Sequence, residues 1–335
     1  MPVGRRNRRA FIAALGGAAA WPLVARGQQA EKTRLVGVLM GFADSSDPDG
    51  QLRVTAFRQA LAALGWRQGD NLRIELRWGA GEVNRATSSA KELVAARPDV
   101  ILSHATLATD AVHRETSSIP IVFVSVPDPI GSGFVESLPH PGGNMTGFLN
   151  LEATVAEKFL ELLKEIAPRT ARVGFMFNPR SARYAEYHLK PLQDMALKLG
   201  ITALPVHVWN DADIETALGK MASDPGSGLI LALDIFLFVH RHVIVDLTTR
   251  YKIPMICPVK DLPMEGALMS YGADGVDLLV RSASYVDRIL RGEKPSELPV
   301  QAPTKFELVI NLKTAKALAL DVPPSLIARA DEVIE

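Results

Sequence analysis

The 335-residue chain has one cysteine, Cys257, so no disulfide can form within it and no thiol stands near the N-terminus to accept a lipid. No G-x-G-x-x-G follows its first strand-like run, which carries only Gly37 and Gly41, and no G-x-x-x-x-G-K-[ST] occurs, so the usual phosphate cradles are missing. G-x-S-x-G is absent too, which removes the nucleophile elbow of serine hydrolases. His240 and His242 are two apart on an expected helix and point to different faces, unlike the i, i+4 pair that grips a metal, and the other histidines are scattered. These absences leave no catalytic constellation, no metal and no cofactor to expect. Charge of one sign is also lacking, with 37 basic against 37 acidic residues. Five of the arginines lie in the first 27 residues, which hold no acid, and the remainder has 32 basic against 37 acidic residues. Such a surface does not favour nucleic acid, whose binding rests on neutralising phosphates with Lys and Arg.

What those first 27 residues contain is a basic part, an apolar part from Phe11 to Val24, and a small-residue end at Ala25-Arg26-Gly27. That order reads as a signal peptide, and the apolar run is too short and too rich in Gly and Ala for a membrane span. Arg8-Arg9-Ala10-Phe11-Ile12 resembles the twin-arginine export motif, with an ordinary Sec signal as the alternative. Either route implies cleavage near Gly27 and a mature protein, not a lipoprotein, working in the periplasm.

From Leu35 onward, short β-branched runs alternate with amphipathic helical patterns. Leu35 to Met40, Leu72 to Trp78, Val100 to Ser103 and Ile121 to Val126 read as strands, and the segments between them read as helices. The β-α order predicts a parallel sheet covered on both faces. Pro127-Asp128-Pro129 stops the fourth strand abruptly, placing an acid at the C-terminal edge, where open parallel sheets bind ligands. Asn144 to Asn150 then reads as a crossing into a second region, where Arg172 to Phe177, Thr202 to Val208, Gly228 to Ala232, Ile253 to Cys257 and Gly266 to Gly272 repeat the strand pattern. Val276 to Leu290, Phe306 to Asn311 and Thr314 to Leu320 cannot bury themselves alone and must complete one or both regions. The fold class is therefore α/β, with two Rossmann-like lobes of parallel sheet joined by a multi-strand hinge. Residues 33–149 with about 273–300 are expected to form lobe 1, and residues 150–272 with about 301–335 to form lobe 2.

Several local runs carry a family resemblance: Val36-Gly37-Val38-Leu39, Leu64-Gly65-Trp66, Pro98-Asp99-Val100-Ile101, Pro127-Asp128-Pro129 with Gly131, Gly133 and Phe134, Pro141-Gly142-Gly143-Asn144-Met145-Thr146-Gly147, Asn178-Pro179, and Gln301-Ala302-Pro303-Thr304-Lys305-Phe306. In this order they resemble the periplasmic substrate-binding proteins of ABC importers. The similar branch binds tryptophan, tyrosine or phenylalanine on a type 1 periplasmic-binding-protein fold. The resemblance implies a monomer that closes two lobes on a small molecule, an amino acid or related small organic acid, and presents the closed form to a membrane permease. A ligand-sensing module of the same fold, acting on a receptor or regulator, is the alternative. At Cys257 the family pattern commonly has an aromatic residue, so a smaller side chain there would widen or reshape the pocket.

A site for an amino acid needs a carboxylate for the ammonium, N–H or hydroxyl donors for the carboxylate, and a shaped apolar wall. Asp128 is the candidate for the ammonium, or else a turn residue bonding a following backbone N–H. Thr106, between a strand end and a helix, offers a hydroxyl and helix N-terminal N–H groups, or serves as an N-cap. Asn178 and Asp234 occupy equivalent strand ends in lobe 2; turn chemistry before Pro179 and an N-cap are their structural alternatives. Phe42 and Tyr184, in loops at the same edge, are candidates for stacking on the ligand or for packing. Cys257 is expected to be a buried apolar thiol.

Overall fold

Val36 to Met40 is apolar and buried on both faces, so this segment can sit only inside a sheet with a partner on each side. In the structure, a computed structural model describing residues 33–151 and 155–335, that segment is β1 (Arg34–Met40). The expected export segment, residues 1–27, lies outside the described residues. The chain continues through α1 (Pro48–Ala63), β2 (Leu72–Trp78), α2 (Val83–Ala95), β3 (Val100–His104), α3 (Thr106–Glu115), β4 (Ile121–Val124) and β5 (Met145–Phe148). The five strands form one parallel sheet in the order β2-β1-β3-β4-β5.

The second sheet repeats the scheme. After α4 (Val155–Ile166) come β6 (Arg172–Phe177), α5 (Tyr184–Lys198), β7 (Thr202–His207), α6 (Asp211–Ala222), β8 (Ser227–Leu231), α7 (Ile235–Val239), α8 (Arg241–Arg250), β9 (Met255–Cys257) and β10 (Met269–Ala273). Strands β7-β6-β8-β9-β10 lie in the same relative order as the first sheet and are all parallel. Two separate helices, α7 and α8, follow β8. The break falls at His240, whose φ of −92° and ψ of 12° end one helix and open the next.

From β10 the chain leaves through Asp274, whose carboxylate caps α9 (Gly275–Leu290) by accepting from the N–H groups of Val276 and Asp277. α9 packs against α1 and against β3, β4 and β5 of the first sheet. The chain then returns to the second sheet as β11 (Phe306–Asn311), followed by α10 (Leu312–Ala317), α11 (Pro324–Ile327) and β12 (Glu332–Ile334). β11 runs antiparallel to β10, a departure from an all-parallel sheet, because the chain re-enters at the end where β10 left. The crossings are tied together: Leu149 N–H donates to the Gln301 carbonyl at 2.8 Å, and Gln301 N–H donates to the Gly147 carbonyl at 2.9 Å. A Cβ on Gly272, just before the crossing at Asp274, would collide with the Pro258 carbonyl, so only glycine fits there. Among the described residues no helix is long and apolar enough to cross a membrane.

Candidate functional site

In a sheet of order 2-1-3-4-5, loops diverge at the switch point between the first and third strands, and ligands bind outside the strand C-termini there. The chain has two such points. In lobe 1 they are the ends of β1 and β3, carrying Phe42 and His104; in lobe 2 they are the ends of β6 and β8, carrying Asn178 and Asp234. The two edges face each other, since Phe42 meets Phe238 of α7 edge to face, with ring centroids 5.2 Å apart at 90°.

On the lobe 1 side the His104 ring stacks on Phe42 at 4.8 Å, and the Arg53 guanidinium lies over the Phe42 ring, 5.2 Å from its centroid. His104 is buried, and burial, helped by nearby Arg53, pushes its pKa down to about 3, so the imidazole is neutral at ordinary pH. The next residue, Ala105, has φ 73° and ψ 158°, a region otherwise left to glycine, and Ser125 after β4 has φ 62°. Both strained residues are held by the sheet: Ala105 N–H donates to the Val124 carbonyl at 2.9 Å, and Ser125 N–H to the Phe148 carbonyl at 3.1 Å. Because Ala105 offers no side-chain cap, the first N–H groups of α3 are left without one.

Asp234 organises the lobe 2 side. Its Oδ2 accepts from the Asn178 N–H at 2.8 Å; its Oδ1 accepts from the Ser181 hydroxyl at 2.6 Å and from the Phe236 N–H at 2.9 Å. It therefore caps α7 while tying the β6 and β8 ends together. Burial pushes its pKa up to about 6 against the pull of these hydrogen bonds. The Asn178 side chain accepts from the Arg180 N–H at 2.9 Å. Tyr184, at the start of α5, donates its hydroxyl to the Leu233 carbonyl at 2.6 Å, and burial, then Asp234, raises its pKa well above the ordinary value.

Between these edges lie two compartments. The inner one, about 70 Å³, is lined by Phe42, Arg53, His104, Asn150, Asp234, Phe238 and Lys260 among others; by a measure in which one water needs about 10–15 Å³, it holds a small solute. The outer one, about 170 Å³, is lined by Thr106, Asp110, Ser132, Arg180, Arg183 and Tyr184 among others. They share a wall, with Ala105 next to Thr106 on one side and Asp234 bonded to Ser181 on the other. Of the six sequence candidates, Phe42 and Asp234 thus line the inner compartment and Thr106 and Tyr184 the outer one. Asn178 is buried behind Asp234 and lines neither. Asp128 bonds its own loop, its Oδ1 accepting from the Gly131 N–H at 2.7 Å, while its charge also acts on His188 of α5 across the cleft.

Sequence reasoning passed over His104, Asn150, Arg53 and Lys260. His104 carried the same strand-end signal as Asp128 and could have been found by it. Arg53 carried none, because its partner Asp261, at 2.9 Å, is 208 residues away.

Arg53 also begins a set of ion pairs across the cleft mouth. Arg241 of α8 lies 3.3 Å from Asp49 and 3.7 Å from Asp47 in lobe 1, and 2.8 Å from Glu265 in its own lobe. Burial raises the pKa of Asp49, nearby Asp261 adds to this, and Arg53 and Arg241 oppose it. Cys257 is buried in β9, and burial pushes its thiol up to about 12, which leaves it protonated and unreactive at neutral pH. Among the described residues no group of His, Cys, Asp and Glu could hold a metal ion.

The family model for ABC transporter substrate binding proteins matches residues 46–334. The chain is similar to a tyrosine-binding protein of Clostridioides difficile (strain R20291), 26% identical over 265 residues that make up 78% of this chain and 75% of the relative. Among solved structures it is similar to a conserved domain protein from Vibrio cholerae O1 biovar El Tor, with 29% identity, a TM-score of 0.83, and coverage of 90% of this chain and 100% of the other. It is equally similar in shape to an ABC domain in complex with L-Trp from Streptococcus pneumonia, with 25% identity, a TM-score of 0.83 and the same coverage.

Proposed function

This chain belongs to the ABC transporter substrate-binding protein family, and from that premise we propose that it captures an amino acid or a related small organic acid between its lobes. The closed form is then handed to a membrane permease, the protein acting as a monomer in the periplasm after export through its twin-arginine-like leader. The role is binding, with no bond made or broken.

The observation that carries the amino-acid reading is the division of the cleft. The inner compartment is walled mostly by Phe42, Phe238 and aliphatic side chains; the outer one presents the uncapped N-terminus of α3, hydroxyls, and the guanidinium groups of Arg180 and Arg183. A zwitterion with an apolar body fits this split, its carboxylate at the α3 N-terminus and its side chain inside. Asp128, in the loop whose Gly131 and Ser132 line the outer compartment, is the group assigned to the ammonium. The tyrosine of the C. difficile protein's name and the L-Trp of the S. pneumonia complex support the same ligand class. A ligand touching both lobes favours closure by its differential affinity for the closed form.

A thermal-shift screen of the mature protein against amino acids and small organic acids tests the reading. Ligand at a hundred times its dissociation constant adds about 2.7 kcal/mol of stability, an obvious rise in melting temperature. If no amino acid and no small organic acid raises the melting temperature, the proposed ligand class is wrong.

A further inference from the structure

Two side chains that line the inner compartment each hold a buried polar atom without a hydrogen-bond partner among the described residues: Nδ1 of His104 and Oδ1 of Asn150. Both residues are more than nine-tenths buried, at 6% and 8% exposure. Buried polar atoms in native proteins are almost always paired, and an orphan left facing a cavity points to a partner that arrives with a ligand. The surrounding backbone agrees. His104 immediately precedes Ala105, and Ala105 and Ser125 are two of the six described non-glycine residues at positive φ, both of them in this lining. Strain of this kind collects at ligand clamps, where the fold over-determines it.

The chemistry of the two atoms restricts what the ligand brings. An amide oxygen only accepts, so Asn150 Oδ1 calls for an N–H or O–H donor. His104, kept neutral by burial, offers Nδ1 as an acceptor in one tautomer. Asp234 is already committed to three donors, and Arg53 and Lys260 stand in the same lining, so a cationic side chain is disfavoured there. A neutral donor is what remains. Resting on the amino-acid reading above, we propose that His104 and Asn150 are the specificity-determining residues of the inner compartment. They receive an uncharged O–H or N–H donor on the bound amino acid's side chain.

The test is isothermal titration calorimetry of the mature protein with two pairs that differ by a side-chain hydroxyl: L-tyrosine against L-phenylalanine, and L-threonine against L-valine. In at least one pair the hydroxyl-bearing member binds about ten- to a hundredfold more tightly, the loss expected when a buried acceptor stays unpaired. In His104→Leu/Asn150→Leu the difference collapses to about threefold or less, with the fold checked by circular dichroism. If the double variant does not fold, Asn150→Leu alone is read and must narrow the gap. Equal binding of the two members by the wild type overturns the proposal, as does discrimination that survives in the variants. Binding without discrimination leaves the amino-acid reading standing; silence from all four amino acids overturns this inference, while the amino-acid reading falls only if the wider thermal-shift screen is silent too.

Discussion

At the residue scale, Asp128 has a structural duty and a proposed ligand-binding one, which two substitutions can separate. Its bond to the Gly131 N–H holds the loop after β4, and a Cβ on Gly131 would collide with its carboxylate, so the turn is built closely around it. Asp128→Ala should therefore lose about 1 kcal/mol of stability in urea unfolding, whereas Asp128→Asn keeps the acceptor and the stability. Any loss of ligand affinity in Asp128→Asn then belongs to the missing charge; an Ala variant as stable as wild type would show that the turn bond contributes nothing. His104 and Asp234 give opposed pH effects. The folded pKa of His104, about 3, lies below the ordinary 6.5, so the unfolded chain binds the extra proton and stability falls as pH drops from about 6.5 toward 3. The folded pKa of Asp234, about 6, lies above its ordinary 3.8, so protonation favours the folded state as pH drops from about 6 toward 3.8. Denaturation at pH 7, 5 and 4 should show a flatter acid loss in His104→Gln and a steeper one in Asp234→Asn; the reverse order would contradict the burial of both groups. The strand-end rule could see Asp128, Thr106, Asn178 and Asp234 because parallel strands bring their C-terminal ends to one edge. It could not see that Asn150 Oδ1 has no partner among the described residues, which depends on the tertiary packing around it.

At the element scale, the β-α succession made both sheets legible, since runs such as Ile121 to Val124 are buried on both faces and cannot be anything but interior strands. β12 and the reversal of β11 were not legible. The reversal follows from the excursion of α9 to lobe 1, a tertiary fact with no local signature in Phe306 to Asn311. The cleft-mouth ion pairs are likewise products of assembly. Arg241 reaches Asp49 across 192 residues of chain, and the contact exists only when the lobes are together. In a double-mutant cycle of Arg241→Met and Asp49→Asn, the coupling in ligand-binding free energy should be about 0.5–3 kcal/mol, the range for residues in one ion-pair network. Additive effects would mean that the pair does not assist closure.

At the scale of the whole molecule, three chain crossings join two lobes whose switch points face one another, and hydrogen bonds between Gly147, Leu149 and Gln301 keep two of those crossings in register. Crossings of this kind leave each sheet intact, which closure of the lobes on the proposed ligand would require. The two-lobe plan was readable in the sequence because each lobe repeats the same order of elements. The ligand was not, because the proposed site depends on how Phe42, His104 and Asn150 come together with Asp234 and Phe238 in three dimensions. The most direct measurement is a crystal structure of the protein grown with the amino acid that raises its melting temperature furthest. Ligand density between Phe42 and His104 of one lobe and Asp234 and Phe238 of the other is the expected result; density elsewhere on the surface, with the cleft empty, would contradict capture between the lobes.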